Sequence, residues 1–358
     1  MKEAFRQRAS ELGFDHCRVT SADPPASAPQ FLDWLGKQRH GEMGYLERNA
    51  AKRVMPQRVL PGAKSVIVVA VNYATSDEGR VTSDETAARD PRHWPRVTRH
   101  GTIARYARHA DYHDVLGERL AQLAEFVNQL GGPDTRSLGY VDTGPVLERD
   151  LAQHAGLGFI GKHTHVISRR AGNWMLLGEI LTTLELEPDA PEKNRCGSCT
   201  RCMAACPTGA IVAPFQLDAR LCISYLTIEL KGPIPVELRP QIGDRIFGCD
   251  DCLAACPWNR FTQEGRLMQG HDRPDLAAPD LVELLSLDEA GFQRRFGGTP
   301  LARAKRRGLL RNVCVALGNV GDAWALPALE RASRDPDPLI AEHARWAAEQ
   351  IGRRAKAS

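Results

Sequence analysis

The sequence predicts an α+β protein in three parts: a mixed helix–strand domain over residues 1–187, a cysteine-rich, loop-rich domain over 188–262, and a helical segment over 263–358. Three observations carry this. KSVIVVAVNYA (64–74) is β-branched and apolar, follows a Pro-Gly pair, and lies among amphipathic stretches. CGSCTRCMAACPTGA (196–210) sets four cysteines within eleven residues. RNVCVALGNVG (311–321) aligns with EHARWAAEQIG (342–352), a faint internal repeat.

In chain order, MKEAFRQRASELGF reads as an amphipathic helix and 64–74 as a buried strand. YHDVLGERLAQLAEFVNQLG (112–131) has apolar residues at helical spacing and stops at Gly-Gly-Pro. RSLGYVDTG (136–144) reads as strand then turn, and VLERDLAQHAGLG (146–158) as a helix ending in glycine. NWMLLGEILTTLEL (173–186) reads as strand, and LEPDAPEKNR (186–195) as a polar linker. The terminal repeat makes at most two HEAT-like helix pairs. That is fewer than a free-standing solenoid needs, so they must pack on the preceding domain.

The 358 residues suffice for two or three domains, and a net charge of +3 is too small to argue a partner. The N-terminus has no apolar h-region and no twin-arginine pair, and SVIVVAV is too short to span a bilayer. The expectation is a soluble cytoplasmic protein with no membrane partner. In that compartment ten cysteines point to metal or redox chemistry rather than disulfides.

Cys196, Cys199, Cys202 and Cys206 are spaced two, two and three residues apart and precede Pro207. This is the bacterial ferredoxin run, in which three thiolates wrap one cubane and the fourth reaches a second. FGCDDCLAACPWN repeats the spacing with Cys249, Cys252, Cys256 and Pro257, one cysteine short; Cys222 upstream can supply it. The count closes at eight. Cys196, Cys199, Cys202 and Cys256 are expected on one 4Fe-4S cluster, and Cys206, Cys222, Cys249 and Cys252 on the other. Paired zinc sites are the alternative, but zinc knuckles need neither the third cysteine nor the step ending in proline. Cys17 and Cys314 have apolar neighbours and read as buried inert thiols.

KRVMPQRVLPGAKSVIVVAVNY (52–73), GTIARYARHADYHDVL (101–116), YVDTGPVLERDLAQHAGLGFIGKHT (140–164), LCISYLTIELKG (221–232) and IGDRIFGCDDCLAACPWN (242–259) join the cysteine run in one likeness. Across nearly its whole length the chain resembles the cobalamin-dependent epoxyqueuosine reductases of bacteria. The resemblance implies an oxidoreductase that reduces the epoxide of epoxyqueuosine, at the wobble position of tRNA, to the alkene of queuosine, the last step of queuosine biosynthesis. Two electrons and two protons enter and water leaves. It further implies that the N-terminal domain is flavin-reductase-like and holds cobalamin, that the ferredoxin-like domain relays electrons, and that the HEAT-like tail helps bind the anticodon arm. The electron donor is not legible, and a monomer is the family's expectation.

The same resemblance makes Asp142 the proton donor and a cobalamin neighbour. Opening an epoxide without acid would expel a poor alkoxide, which a protonated carboxyl avoids. Read from the residues alone, Asp142 would sooner cap the 146–158 helix or make an Asx turn. Arg53, Ala104, Ser224 and Asp250 match cobalamin-contacting positions; a surface arginine, a core alanine and two loop hydrogen-bonders are the plain readings. His163 and His165 are not taken as cobalt ligands.

GFQRRFGGTPLARAKRRGLLRN (291–312) carries seven Lys/Arg and no acid. Arg303, Lys305, Arg306 and Arg307 are its candidate tRNA contacts, with Lys231 added by resemblance; a solvated charged face is the alternative. A second basic stretch (89–109) suits RNA or the cobalamin tail equally. Two other classes compete. A cytoplasmic reductive dehalogenase leaves the basic tail without a purpose, and a bare electron carrier or RNA-binding protein leaves the N-terminal domain unexplained.

Overall fold

The computed structural model describes residues 1–74 and 97–357, so 89–96 of the second basic stretch lie outside the described residues. Four strands, β1 (His16–Ser21), β2 (Ser65–Asn72), β3 (Ser137–Tyr140) and β4 (Met175–Thr182), form an antiparallel sheet in the order β1-β2-β4-β3. β2 is buried at every residue because both of its faces are covered. On one face α1 (Lys2–Glu11) and α3 (Tyr112–Gly131) pack Phe5, Leu116, Leu120 and Leu123 against Ile67, Val69 and Ile180. On the other, α4 (Glu148–His154) packs Leu151 and Ala152 against Val66, Val68 and Leu181. Each such side chain contributes about 1.5–3 kcal/mol, so the two apolar layers fix the register of the sheet. A short α2 (Ala50–Arg53) lies between β1 and β2 in the chain.

α3 matches its expected span. Asp111 caps it, accepting the His113 N–H at 3.0 Å, and Gly132 at φ 86° ends it. α4 is shorter than 146–158: Val146 is buried on the sheet and its carbonyl accepts from Arg53 at 2.9 Å, so the helix starts two residues later. The polar linker is strapped down. Asp189 takes Lys2 and Arg6, both at 2.7 Å, and the Val19 N–H at 2.9 Å.

The cysteine-rich part has two short helices, α5 (Arg201–Ala205) and α6 (Asp251–Ala254), packed on each other. Its strand β5 (Arg245–Phe247) pairs in parallel with Thr102–Ile103 and so ties it to the first part. Beneath, Arg245 and Asp251 form a buried ion pair at 2.5 Å.

The tail consists of α7 (Lys305–Val320), α8 (Leu326–Ala332) and α9 (Pro338–Ala357), with α7 lying along α9 as the repeat implies. Gly318 allows that approach, since a Cβ there would sit 2.5 Å from the Trp346 ring. The tail is not free-standing: one core runs from Ile103 and Ala107 through Ile223, Ile246 and Phe247 to Leu309, Val313 and Ile340. Arg311 and Asn312 of α7 are buried and donate to the carbonyls of Leu226, Leu230, Gly232, Thr227 and Ile246. Burial pushes the Cys314 thiol up and that of Cys17 to about 12, so both are inert.

Candidate functional site

The fold gathers the seven cysteines of the two runs, with Cys222, into two sets. The Cys202 thiol lies within the field of Cys196 and Cys199, and that of Cys256 within the field of Cys196, Cys202 and Cys199. Likewise Cys252 senses Cys222 and Cys206, and Cys249 senses Cys252. Burial pushes up the thiols of Cys202, Cys222, Cys249, Cys252 and Cys256, the last to about 12. Thiols buried together in this way suit iron, which takes the place of the proton and neutralises the charge. Among the described residues no three His, Cys, Asp or Glu side chains close on a single ion.

A lysine not anticipated from the sequence holds the first set. Lys162 is buried and its Nζ donates to the carbonyls of Gly197 and Cys199, both at 2.8 Å. Asn194 accepts the Cys196 N–H at 2.9 Å and donates to the Ile160 carbonyl at 2.8 Å. Phe159, Trp258 and Cys256 share a small apolar cluster. The loop after α4 thus clamps the ferredoxin-like run; GKHT in the sequence was its only trace. His163 is buried there and His165 half-buried, and both are held neutral, His163 at about 4, chiefly by desolvation.

Asp142 follows β3 in a left-handed conformation, φ 58°, unusual for any residue but glycine. It does not cap α4, whose first turn has no side-chain cap. Its side chain is 61% exposed, and Oδ2 accepts the Tyr112 hydroxyl at 2.6 Å with His113 Nε2 at 4.0 Å. Tyr112 is mostly buried, and burial together with Asp142 keeps its hydroxyl protonated, hence a fixed donor. Arg303 reaches in from the tail, 5.3 Å above the Tyr112 ring, and donates to Asp111 at 2.8 and 2.9 Å and to His113 Nδ1 at 2.5 Å. Burial pushes the Asp111 carboxyl up, but the donors from His113 and Arg303 outweigh it and hold it at about 2. Phe247, Tyr106 and Tyr112 form an aromatic line from the strand before Cys249 to Asp142, with centroids 6.4 and 5.9 Å apart.

The remaining candidates surround this line. Ala104 is buried against Gly248, and Asp250 accepts the Arg105 N–H at 2.7 Å, with burial raising its carboxyl. Ser224 is half-buried and lies two residues after Cys222. Arg53 spends Nη1 on the Val146 carbonyl and leaves a buried Nε without a partner, a donor suited to a polar cofactor tail. Lys231 is exposed beside Arg307, which donates to its carbonyl at 3.4 Å. The basic run is less free than its sequence suggests. Arg295 pairs with Glu283, Arg306 with Asp335 and Arg307 with Asp337, while Arg303 and Arg311 are engaged as described. The acids come from other parts of the chain, which a local count misses. Lys305 is exposed, at φ 57°.

Residues 195–259 match the 4Fe-4S double cluster binding domain, and residues 53–143 match the family described as epoxyqueuosine reductase QueG, DUF1730. The chain is 42% identical to the epoxyqueuosine reductase of Salmonella typhimurium over 355 residues, covering 99% of this chain and 89% of that protein. Its likeness to the epoxyqueuosine reductase of Escherichia coli is also 42%, covering 99% and 90%. Among solved structures it is similar to an epoxyqueuosine reductase with an epoxyqueuosine-modified tRNA-Tyr stem loop, with a TM-score of 0.85 at 35% identity, covering 99% and 91%. It is equally similar to the Bacillus subtilis epoxyqueuosine reductase with its catalytic aspartate loop swung out of the active site, TM-score 0.85 at 35% identity, covering 98% and 90%.

Proposed function

The chain belongs to the epoxyqueuosine reductase family, and we propose that it reduces epoxyqueuosine in tRNA to queuosine with Asp142 as the proton donor. One observation carries the reading: Cys222 and Cys249 of the second set pack on the same core as Phe247 at one end of the Phe247–Tyr106–Tyr112 line, and the Asp142 carboxyl stands at the other. Cys196, Cys199, Cys202 and Cys256 hold one 4Fe-4S cluster; Cys206, Cys222, Cys249 and Cys252 hold the other. Cobalamin, held against Arg53, Ala104, Ser224 and Asp250, would supply the reducing centre.

The protein's own residues supply position and protons. Asp142 gives a proton to the epoxide oxygen, so that it leaves as a hydroxyl and finally as water. Tyr112 aims the carboxyl through its hydroxyl, and Arg303 fixes the Asp111–His113 pair beside it. Lys162 keeps the first cysteine loop closed. Lys231 and Lys305 meet tRNA phosphates directly, and Arg306 and Arg307 do so by exchanging Asp335 and Asp337 for the backbone. No helix among the described residues is long and apolar enough to cross a membrane, and a cytoplasmic monomer fed by a separate electron donor fits a tRNA substrate.

Anaerobic reconstitution with iron, sulfide and cobalamin, followed by assay on tRNA bearing epoxyqueuosine, tests this. The expected result is about eight irons and one corrinoid per chain, with queuosine formed. Zinc in place of iron, or no conversion by fully loaded protein, would overturn it.

A further inference from the structure

Around the first cysteine set lies a charged face that neither the Asp142 chemistry nor the tail's tRNA contacts use. Three segments meet there: the Cys196–Cys202 loop, the chain from Phe159 through Ile167, and the chain after Cys256. They are joined by the small apolar cluster of Phe159, Ile167, Cys196, Cys256 and Trp258. They carry six exposed cations, Arg169, Arg170, Lys193, Arg195, Arg201 and Arg260. Their one acid is Glu192, which Arg169 approaches at 3.8 Å and Arg195 at 3.6 Å. Six cations against one acid is a local excess larger than the net +3 of the whole chain. Two exposed aromatic side chains stand within this charge. Phe261, 40% exposed, lies 4.7 Å from the Arg260 guanidinium and 5.7 Å from Trp258, which meets Phe159 edge-on at 5.4 Å. Phe215, 45% exposed, tips the hairpin of Ile211–Ala213 and Gln216–Leu217 in a left-handed conformation, φ 67°. Its N–H donates at 3.1 Å to the carbonyl of Lys162, whose Nζ holds the Gly197 and Cys199 carbonyls. Such strain persists where the surrounding structure imposes it, and aromatic side chains ringed by polar ones make up a contact surface.

We propose that this face docks an acidic one-electron carrier protein, and that electrons enter the chain through the first cluster. The second set is turned inward: Cys222 and Cys249 pack on the core shared with Phe247, and Cys252 on the core of the sheet. Cys196 and Cys256 of the first set belong instead to the apolar cluster under the charged face. The order is therefore carrier, first cluster, second cluster, active site. At each visit the carrier is oxidised by one electron and the first cluster is reduced by one. Two visits supply the two electrons that the epoxide reduction consumes. A carrier that must leave after each electron needs quick, weak docking, which opposite charge provides by steering encounters rather than by buried area. The phosphates of tRNA are another polyanion drawn to such a face, but cluster thiols directly beneath it favour the carrier. The proposal rests on the reading of the chain as a reductase fed by a separate donor.

Anaerobic stopped-flow bleaching of the cluster absorption tests this in the protein loaded with iron, sulfide and cobalamin. Two reductants are compared: reduced flavodoxin, an acidic one-electron carrier, and the methyl viologen radical, a small cation. In wild type the flavodoxin rate should fall at least tenfold between about 50 and 500 mM salt, and the viologen rate should not fall. The triple variant Arg169→Gln, Lys193→Gln, Arg260→Gln, which leaves the neighbours of the cysteines in place, should lose at least tenfold of the flavodoxin rate at low salt. Its viologen rate, iron content and tRNA binding should match wild type. A wild-type flavodoxin rate indifferent to salt overturns the proposal, and this result decides even if the variant fails to hold iron. So does a variant that keeps the flavodoxin rate, or one that loses tRNA binding in its place, which would assign the face to RNA. Failure of viologen-reduced wild type to convert tRNA carrying epoxyqueuosine would remove the reductase reading instead, and the docking rates would be judged on their own.

Discussion

Two sets of carboxyl groups border Asp142 in opposite circumstances. Asp111 is partly buried yet ringed by donors, two bonds from Arg303 and one from the His113 N–H, and is held at about 2. Glu179 is buried in an aliphatic layer and Glu148 half-buried beside it; burial pushes Glu148 to about 8 and Glu179 well above the usual carboxylate range. Burial raises all three; the supply of donors decides the sign. Asp142 therefore stands between a permanent anion, which fixes orientation, and a pair that keeps its protons at neutral pH.

The largest effect should come from the residue between them. Asp142→Asn should lower kcat roughly 10²–10⁴-fold with tRNA binding unchanged, measured in single turnovers. Next is the donor-rich side. Arg303→Gln should cost about 1.5–3 kcal/mol in thermal or denaturant unfolding by leaving Asp111 short of its charged partner. The Asp111 contribution is present above its ordinary value of 3.8 and is lost as pH falls through about 2; in the variant that loss should move to higher pH. The donor-poor side should behave oppositely. The contribution of Glu148 is fully present below 4.5 and is lost as pH rises through about 8, with a slope of at most about 1.4 kcal/mol per pH unit for its one proton. Replacing Glu148 and Glu179 by glutamine should flatten that limb of the stability–pH curve. The smallest effect belongs to Arg307, half-exposed in its pair with Asp337 at 2.8 Å. Arg307→Gln should change stability by less than about 1 kcal/mol but reduce the salt slope of tRNA binding by about 1.

The two ends of the site differ in how far they could be read from the chain. Cluster ligands must come from short loops, so the spacing of Cys196 to Cys206 and of Cys249 to Cys256 is itself the geometry. The sheet and α3 were legible because burial on two faces and on one face leave periods of their own. The surroundings of Asp142 leave no period. In the sequence Tyr112 is a helix start and Glu179 one position in a strand; nothing local says that the first bonds Asp142 or that the second senses its charge. In the sequence Arg303 stands as a free cation because its acid, Asp111, lies 192 residues away. Lys162 is illegible for the same reason, since its partners are carbonyls of a loop 35 and 37 residues on.

The measurement that bears most directly on the central claim is a single-turnover assay of wild type and Asp142→Asn, matched in iron and corrinoid content, on tRNA carrying epoxyqueuosine. The account predicts queuosine from wild type and almost none from the variant at equal tRNA occupancy. Equal conversion by the two proteins would contradict it.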